Sequence, residues 1–160
     1  MTYRVKVEVQ KSCDAESLPE EGEIRRWLTS AVAAAARPES RRCEIVVRVV
    51  GEGESRALNR RFRGHDRPTN VLAFPAGDSL AGPRLSWHPL GDLVLCGPVV
   101  EREAAEQGKA AAAHWGHLLV HGALHLLGYD HAGEAEAAAM EGLETRILAE
   151  HGYPDPYIPA

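Results

Sequence analysis

The chain has 160 residues, a formal net charge of −5, and 26% charged against 44% hydrophobic residues. That is enough for one domain with a sizeable core, and no apolar run reaches the ~18 residues that a membrane-spanning helix requires. Cys13, Cys43 and Cys96 are scattered and odd in number, which argues against a disulfide framework and against a thiolate zinc site. The opening residues Met1 to Lys6 do not read as a signal peptide, and the expected location is the cytoplasm.

In chain order, Tyr3, Val5, Val7 and Val9 alternate with charged or polar neighbours, the period of a half-buried strand. Residues 11–19 are polar and end in Pro19. Glu21 to Ala36 is predicted to be a helix with Ile24, Trp27, Leu28, Val32 and Ala35 on one stripe, stopped by Pro38. Cys43 to Val50 is a β-branched strand. Ser55 is expected to cap a second helix running to Arg63, with Leu58 and Phe62 on its buried side. A strand at 69–74 ends at Pro75, and glycine and proline breaks mark 76–89 as a surface excursion. Leu93 to Cys96 is a further strand, and Pro98 opens a helix. Gly108 interrupts that helical stretch, and helices follow at 109–127 and 134–151. Strands and helices mix without strict βαβ alternation. The expectation is an α+β fold, one domain over 1–160, with a small mixed sheet, four or five helices, and a metal site on a central helix and the loop after it.

The site is expected at His121, His125 and His131. Residues four apart on a helix share a face, about 40° apart in azimuth and ~6 Å in rise. Gly128 suits a left-handed helix end that turns the chain back and brings His131 to the same point. Three imidazoles leave one tetrahedral position on a zinc ion open, as a catalytic site requires. The spacing equals that of the zinc-protease pattern His-Glu-x-x-His-x-x-Gly-x-x-His, but Gly122 stands where those enzymes carry the general base. Peptide hydrolysis by that mechanism is therefore not expected.

His114 and His117 share the stripe of His121 and His125, and either line a substrate groove or serve structure. Asp130 is expected to support an imidazole or a turn rather than ligate, and Cys96 reads as a small buried residue. Arg56, Arg60, Arg61, Arg63 and Arg67 crowd into a short window. They either solvate a helix or give an acidic protein one basic face for a polyanion.

Four windows together resemble the YbeY family of bacterial metal-dependent endoribonucleases. They are Leu58 to Arg63 with Pro68 to Pro75, Leu90 to Cys96, His117 through His131, and Met140 to Leu148 with Pro154 to Tyr157. The resemblance implies one zinc ion held by His121, His125 and His131, and a critical arginine at Arg63. It implies single-stranded RNA as substrate, with roles in small-subunit ribosomal RNA maturation and ribosome quality control, and hence the ribosomal small subunit and its associated proteins as partners. Where the family often carries Asp, this chain has Asn70. The residues agree with that implication. Zinc lowers the pKa of water and polarises a phosphoryl oxygen, and a planar guanidinium suits phosphate. Arg56, Arg60, Arg61, Arg67 and His117 are the candidate further contacts to RNA. Two rival readings are a metal peptidase with its base drawn from Asp92, Glu101, Glu103 or Asp130, and a ribosome-associated RNA-binding factor in which zinc only holds the fold.

Overall fold

A computed structural model of the chain describes residues 2–77 and 87–158. Its strands are Arg4–Lys11 (β1), Arg42–Val50 (β2), Val71–Pro75 (β3) and His88–Cys96 (β4), joined in one sheet of order β1-β2-β4-β3. β1, β2 and β4 run parallel, and β3 lies antiparallel to β4 at one edge. The helices are Glu21–Ala35 (α1), Glu52–Arg63 (α2), Gly97–Glu106 (α3), Ala111–Leu126 (α4) and Glu134–Glu150 (α5). The α+β expectation therefore holds. Among the described residues, no helix is long and apolar enough to cross a membrane.

Alternation decides which face of the sheet is which. Val5 and Val7 of β1 point inward while Arg4, Lys6 and Glu8 are exposed. Cys43, Ile45, Val47 and Val49 of β2 are completely buried on the same side. They join Trp27 and Leu28 of α1, Trp115, Leu119 and Leu124 of α4, and Met140, Ile147 and Leu148 of α5 in the main core. The opposite face carries a smaller cluster of Val50, Leu72 and Val94, packed under Leu58 of α2 and against Phe74.

α4 is the central helix, and its missing side chains press it inward. A Cβ at Gly116 would sit 2.3 Å from the ring of buried Trp27, and one at Gly122 would sit 2.7 Å from Leu93 Cδ2. α4 therefore approaches both α1 and the sheet more closely than any larger residue would permit.

Three local expectations change. α2 begins at Glu52 behind Gly51, so Ser55 lies inside the helix and not at its cap. Its buried hydroxyl donates to the Thr69 carbonyl at 3.0 Å and accepts from the Thr69 N–H at 2.9 Å, tying α2 to the approach of β3. Phe62 is 48% exposed rather than buried, because the sheet face under α2 is too small to cover it. β4 starts at His88, well before Leu93; Pro89 pairs in register with Glu44 of β2, ahead of the register shift that skips Leu90 and outside the stretch Gly91 to Leu95 that β3 covers, so it needs no partner on that side. Of the excursion expected at 76–89, residues 78–86 lie outside the described residues.

Gly116→Ala should lower stability by about 1–3 kcal/mol through overpacking against Trp27, and the ~1 kcal/mol gain in helix propensity should not offset it. Urea unfolding monitored by circular dichroism checks this: a midpoint shifted downward with unchanged slope is the expected outcome.

Candidate metal centre

α4 carries His121 and His125 one turn apart near its C-terminus, and the helix ends as the glycine pattern predicts. Gly128 takes φ +99°, its N–H bonds the His125 carbonyl at 3.0 Å, and the Tyr129 N–H bonds the Leu124 carbonyl at 3.0 Å. These paired bonds form a Schellman closure, which satisfies the last carbonyls and reverses the chain. Asp130 Oδ1 then accepts from the His131 N–H at 2.7 Å and stabilises the return.

The reversal delivers His131 to the other two. One ligand nitrogen from each histidine lies within 4.8 Å of the others, and His121 Nε2 and His125 Nε2 are 3.2 Å apart. Two nitrogens each ~2.1 Å from one ion at a tetrahedral angle are about 3.4 Å apart, so this pair fits a shared cation without rearrangement. Burial, with the neighbouring His121 and His131, pushes the His125 pKa below its ordinary value and favours the neutral imidazole that a metal ligand must be.

The cluster opens on a groove of about 540 Å³. Val71, Ala73 and Pro75 of the edge strand form one wall, with Arg63 beside them, and the histidines with Gly128, Tyr129 and Asp130 form the other. Arg63 reaches round from the end of α2. Its guanidinium donates to the Ala73 carbonyl at 2.9 Å and the Phe62 carbonyl at 3.1 Å, and lies 5.3 Å from the Phe74 ring centroid.

Behind the histidines lies Glu144 of α5, completely buried. It accepts from His117 Nε2 at 2.6 Å, from the Tyr157 hydroxyl at 2.7 Å and from His121 Nδ1 at 3.3 Å. Burial alone would raise its pKa, but these hydrogen bonds outweigh it and bring the carboxyl down to about 2. With Nδ1 held by Glu144, His121 presents Nε2 to the shared point. That is the carboxylate–histidine–metal arrangement that fixes tautomer and ring plane.

The family model for endoribonuclease YbeY matches residues 8–152. The chain belongs to the YbeY family. Similar curated relatives are the endoribonuclease YbeY of Halorhodospira halophila, 55% identical over 141 residues, and that of Alkalilimnicola ehrlichii, 55% identical over 140 residues. The first match covers 88% of this chain and 89% of the relative, and the second 88% and 82%. The fold is also that of a solution structure of TM1509 from Thermotoga maritima, with a TM-score of 0.55 at 23% identity, covering 96% of this chain and 99% of that one.

Set in this YbeY fold, the other candidate residues separate. Arg56 forms an exposed bidentate pair with Asp66, at 2.8 and 3.0 Å. Arg60, Arg61 and Arg67 are exposed but do not line the groove, and Arg61 lies 5.1 Å from the Phe62 ring centroid. His117 points to Glu144. His114 bonds Glu103 at 2.9 Å, and Glu103 also receives Asn70 Nδ2 at 3.0 Å. Cys96 is completely buried, with its thiol pKa raised by that burial. Of the carboxylates considered as a peptidase base, only Asp130 lines the groove, and its Oδ1 is engaged by the next backbone N–H. Glu101 is bound by the Ser17 N–H and hydroxyl, and Asp92 sits on the sheet face away from the histidines, beside Phe74 and Val94.

Glu144 and Tyr157 escaped sequence reasoning. A signal existed for Glu144: it falls on the stripe of Met140, Ile147 and Leu148, where a carboxylate must have partners. Glu144→Gln should weaken metal binding about 10–100-fold, the usual consequence of losing a carboxylate behind a ligating histidine. Competition for zinc against a chromogenic chelator measures it; wild-type affinity in the variant would refute the role.

Proposed function

We propose that this YbeY-family protein is a zinc-dependent endoribonuclease that cuts single-stranded regions of ribosomal RNA, acting in the cytoplasm on the small subunit and alongside its associated proteins. The observation that carries this reading is the sharing of one groove by an open three-histidine cluster and Arg63. The imidazole set admits several transition metals, and zinc is the one that best combines three nitrogens with an open tetrahedral position. Once bound, the metal would supply Lewis-acid polarisation of a phosphoryl oxygen and a lowered pKa for water.

The chain's own residues supply the rest. Glu144 holds His121 in one tautomer. Arg63 is anchored by the Phe62 and Ala73 carbonyls, which occupy two of the five N–H donors of its guanidinium. The remaining donors are free to bind a phosphate and the charge that grows on it. An open groove wall beside the histidines supports a catalytic site over a closed structural one.

The edge strand supports RNA over peptide. Asn70 and Cys96 form a hydrogen-bonded pair of the β3–β4 ladder, through the Cys96 N–H and the Asn70 carbonyl at 2.9 Å. By alternation, the backbone groups of Val71, Ala73 and Pro75 face outward. A peptide substrate would pair with them as an added strand. Asn70 Oδ1 already takes the Val71 N–H at 2.6 Å, Arg63 takes the Ala73 carbonyl, and Pro75 has no N–H. The edge is thus blunted against strand addition, while Arg63 keeps donors for phosphate.

Zinc-loaded protein should cleave a single-stranded RNA, and chelation or His125→Ala should abolish the activity. Arg63→Glu should lower turnover by about 100-fold or more, the scale of losing a donor to developing charge. Equal cleavage by all forms would indicate a contaminating nuclease and sink the proposal. Product ends identify the attacking group: a cyclic or 2′/3′-phosphate reports the RNA's own 2′-hydroxyl, and a 3′-hydroxyl reports water. No turnover of a casein substrate is expected from the same preparation.

A further inference from the structure

A second basic surface lies at the end of the sheet where β1, β2 and β4 begin. Arg4, Arg41, Arg42 and His88 line a concavity of about 490 Å³ there, with Glu39 as the one carboxylate among the described lining residues. Strand register creates it: Arg4 pairs with Arg42, and Cys43 next to Arg42 pairs with His88. Trp87 completes the surface, its ring centroid 4.9 Å from the Arg42 guanidinium carbon.

These arginines are exposed and, among the described residues, make no ion pair. Elsewhere Arg48, Arg56, Arg102 and Arg146 each meet a carboxylate. In a chain of net charge −5, unpaired arginines gathered on one surface are an electrostatic feature that folding alone does not require.

Two lines of described residues lead from the metal groove toward this surface. Pro75, on the groove wall, pairs with Gly91, close to His88 on the same strand. Gly128 and Tyr129, on the other wall, back onto Arg37: its guanidinium carbon is 5.6 Å from the Tyr129 ring centroid, and Pro38 and Glu39 lead from it into the second concavity.

We propose that Arg4, Arg41, Arg42 and Trp87 form a second contact for single-stranded RNA, holding the part of the substrate that leaves the metal groove past Arg37. Guanidinium groups suit successive phosphates, and the half-buried Trp87 indole, with Arg42 over its ring, offers its exposed part to an unpaired base. The proposal rests on the groove accepting RNA, and it makes this chain prefer substrates longer than the groove itself.

The test uses full-length, zinc-loaded protein and two labelled single-stranded RNAs, one short enough to fill only the groove and one extended. The exposed side chains make Arg41→Glu/Arg42→Glu compatible with folding, and circular dichroism and zinc content confirm it. The double variant should bind the long RNA at least about tenfold more weakly, with the slope of log K against log salt reduced by about 1.4 for two lost contacts to a single strand. Binding and cleavage of the short RNA should be unchanged. Trp27 and Trp115 are fully buried and Trp87 is half-buried, so long RNA should quench the emission of Trp87 in wild type but not in the double variant. Wild-type affinity and salt slope in the double variant would overturn the proposal and leave the surface to an acidic protein partner. Failure of the proposed function shows itself separately, as wild-type protein that cuts neither RNA, and the long-RNA affinity still decides this surface.

Discussion

A buried carboxylate organises the site. Removing an ionised Glu144 from water costs several kcal/mol unless strong donors replace the solvent, and it has them in His117, His121 and Tyr157. Because these donors come from α4 and the C-terminal segment while the acceptor comes from α5, satisfying one charge fixes the relative placement of three chain segments. The same requirement sets the tautomer of His121. The interaction that makes the core acceptable is therefore also the one that aims a metal ligand.

β3 plays a comparable double part. On one side, Leu72 closes the smaller core beneath α2; on the other, Val71, Ala73 and Pro75 form the groove wall. An edge strand invites unwanted pairing, and here Asn70, Arg63 and Pro75 suppress it. Arg63 serves both ends: anchored to the Ala73 carbonyl, it is held in the groove where a phosphate would lie. Asn70 is fixed in turn through Glu103 and His114, so the α3–α4 pair stabilises the wall opposite the histidines.

Charge is distributed in keeping with that groove. The chain is acidic overall, yet arginines without a carboxylate partner among the described residues gather at the end of α2 and at the start of the sheet. Because single-strand binding draws largely on phosphate contacts, local charge determines the path of a polyanion more than net charge does.

Local chemistry made much of this readable from the sequence. A four-residue histidine spacing on a helix, a glycine that accepts positive φ, and a returning histidine specify a cation site before any tertiary contact is known. Alternation in β1 and β2 and the stripe of α1 likewise need only neighbours in the chain. The errors fell where distant segments meet. Ser55 resembles a cap until Thr69 claims its hydroxyl, Phe62 resembles a core residue until the sheet face under α2 proves too small, and Pro89 resembles a loop until β2 pairs with it at Glu44. Glu144 behind His121, Arg63 on the Ala73 carbonyl and the arginines gathered at the head of the sheet were decided by tertiary structure alone. Each joins residues far apart in the chain, and a short-range pattern carries no information about which buried charge or exposed edge will find which partner.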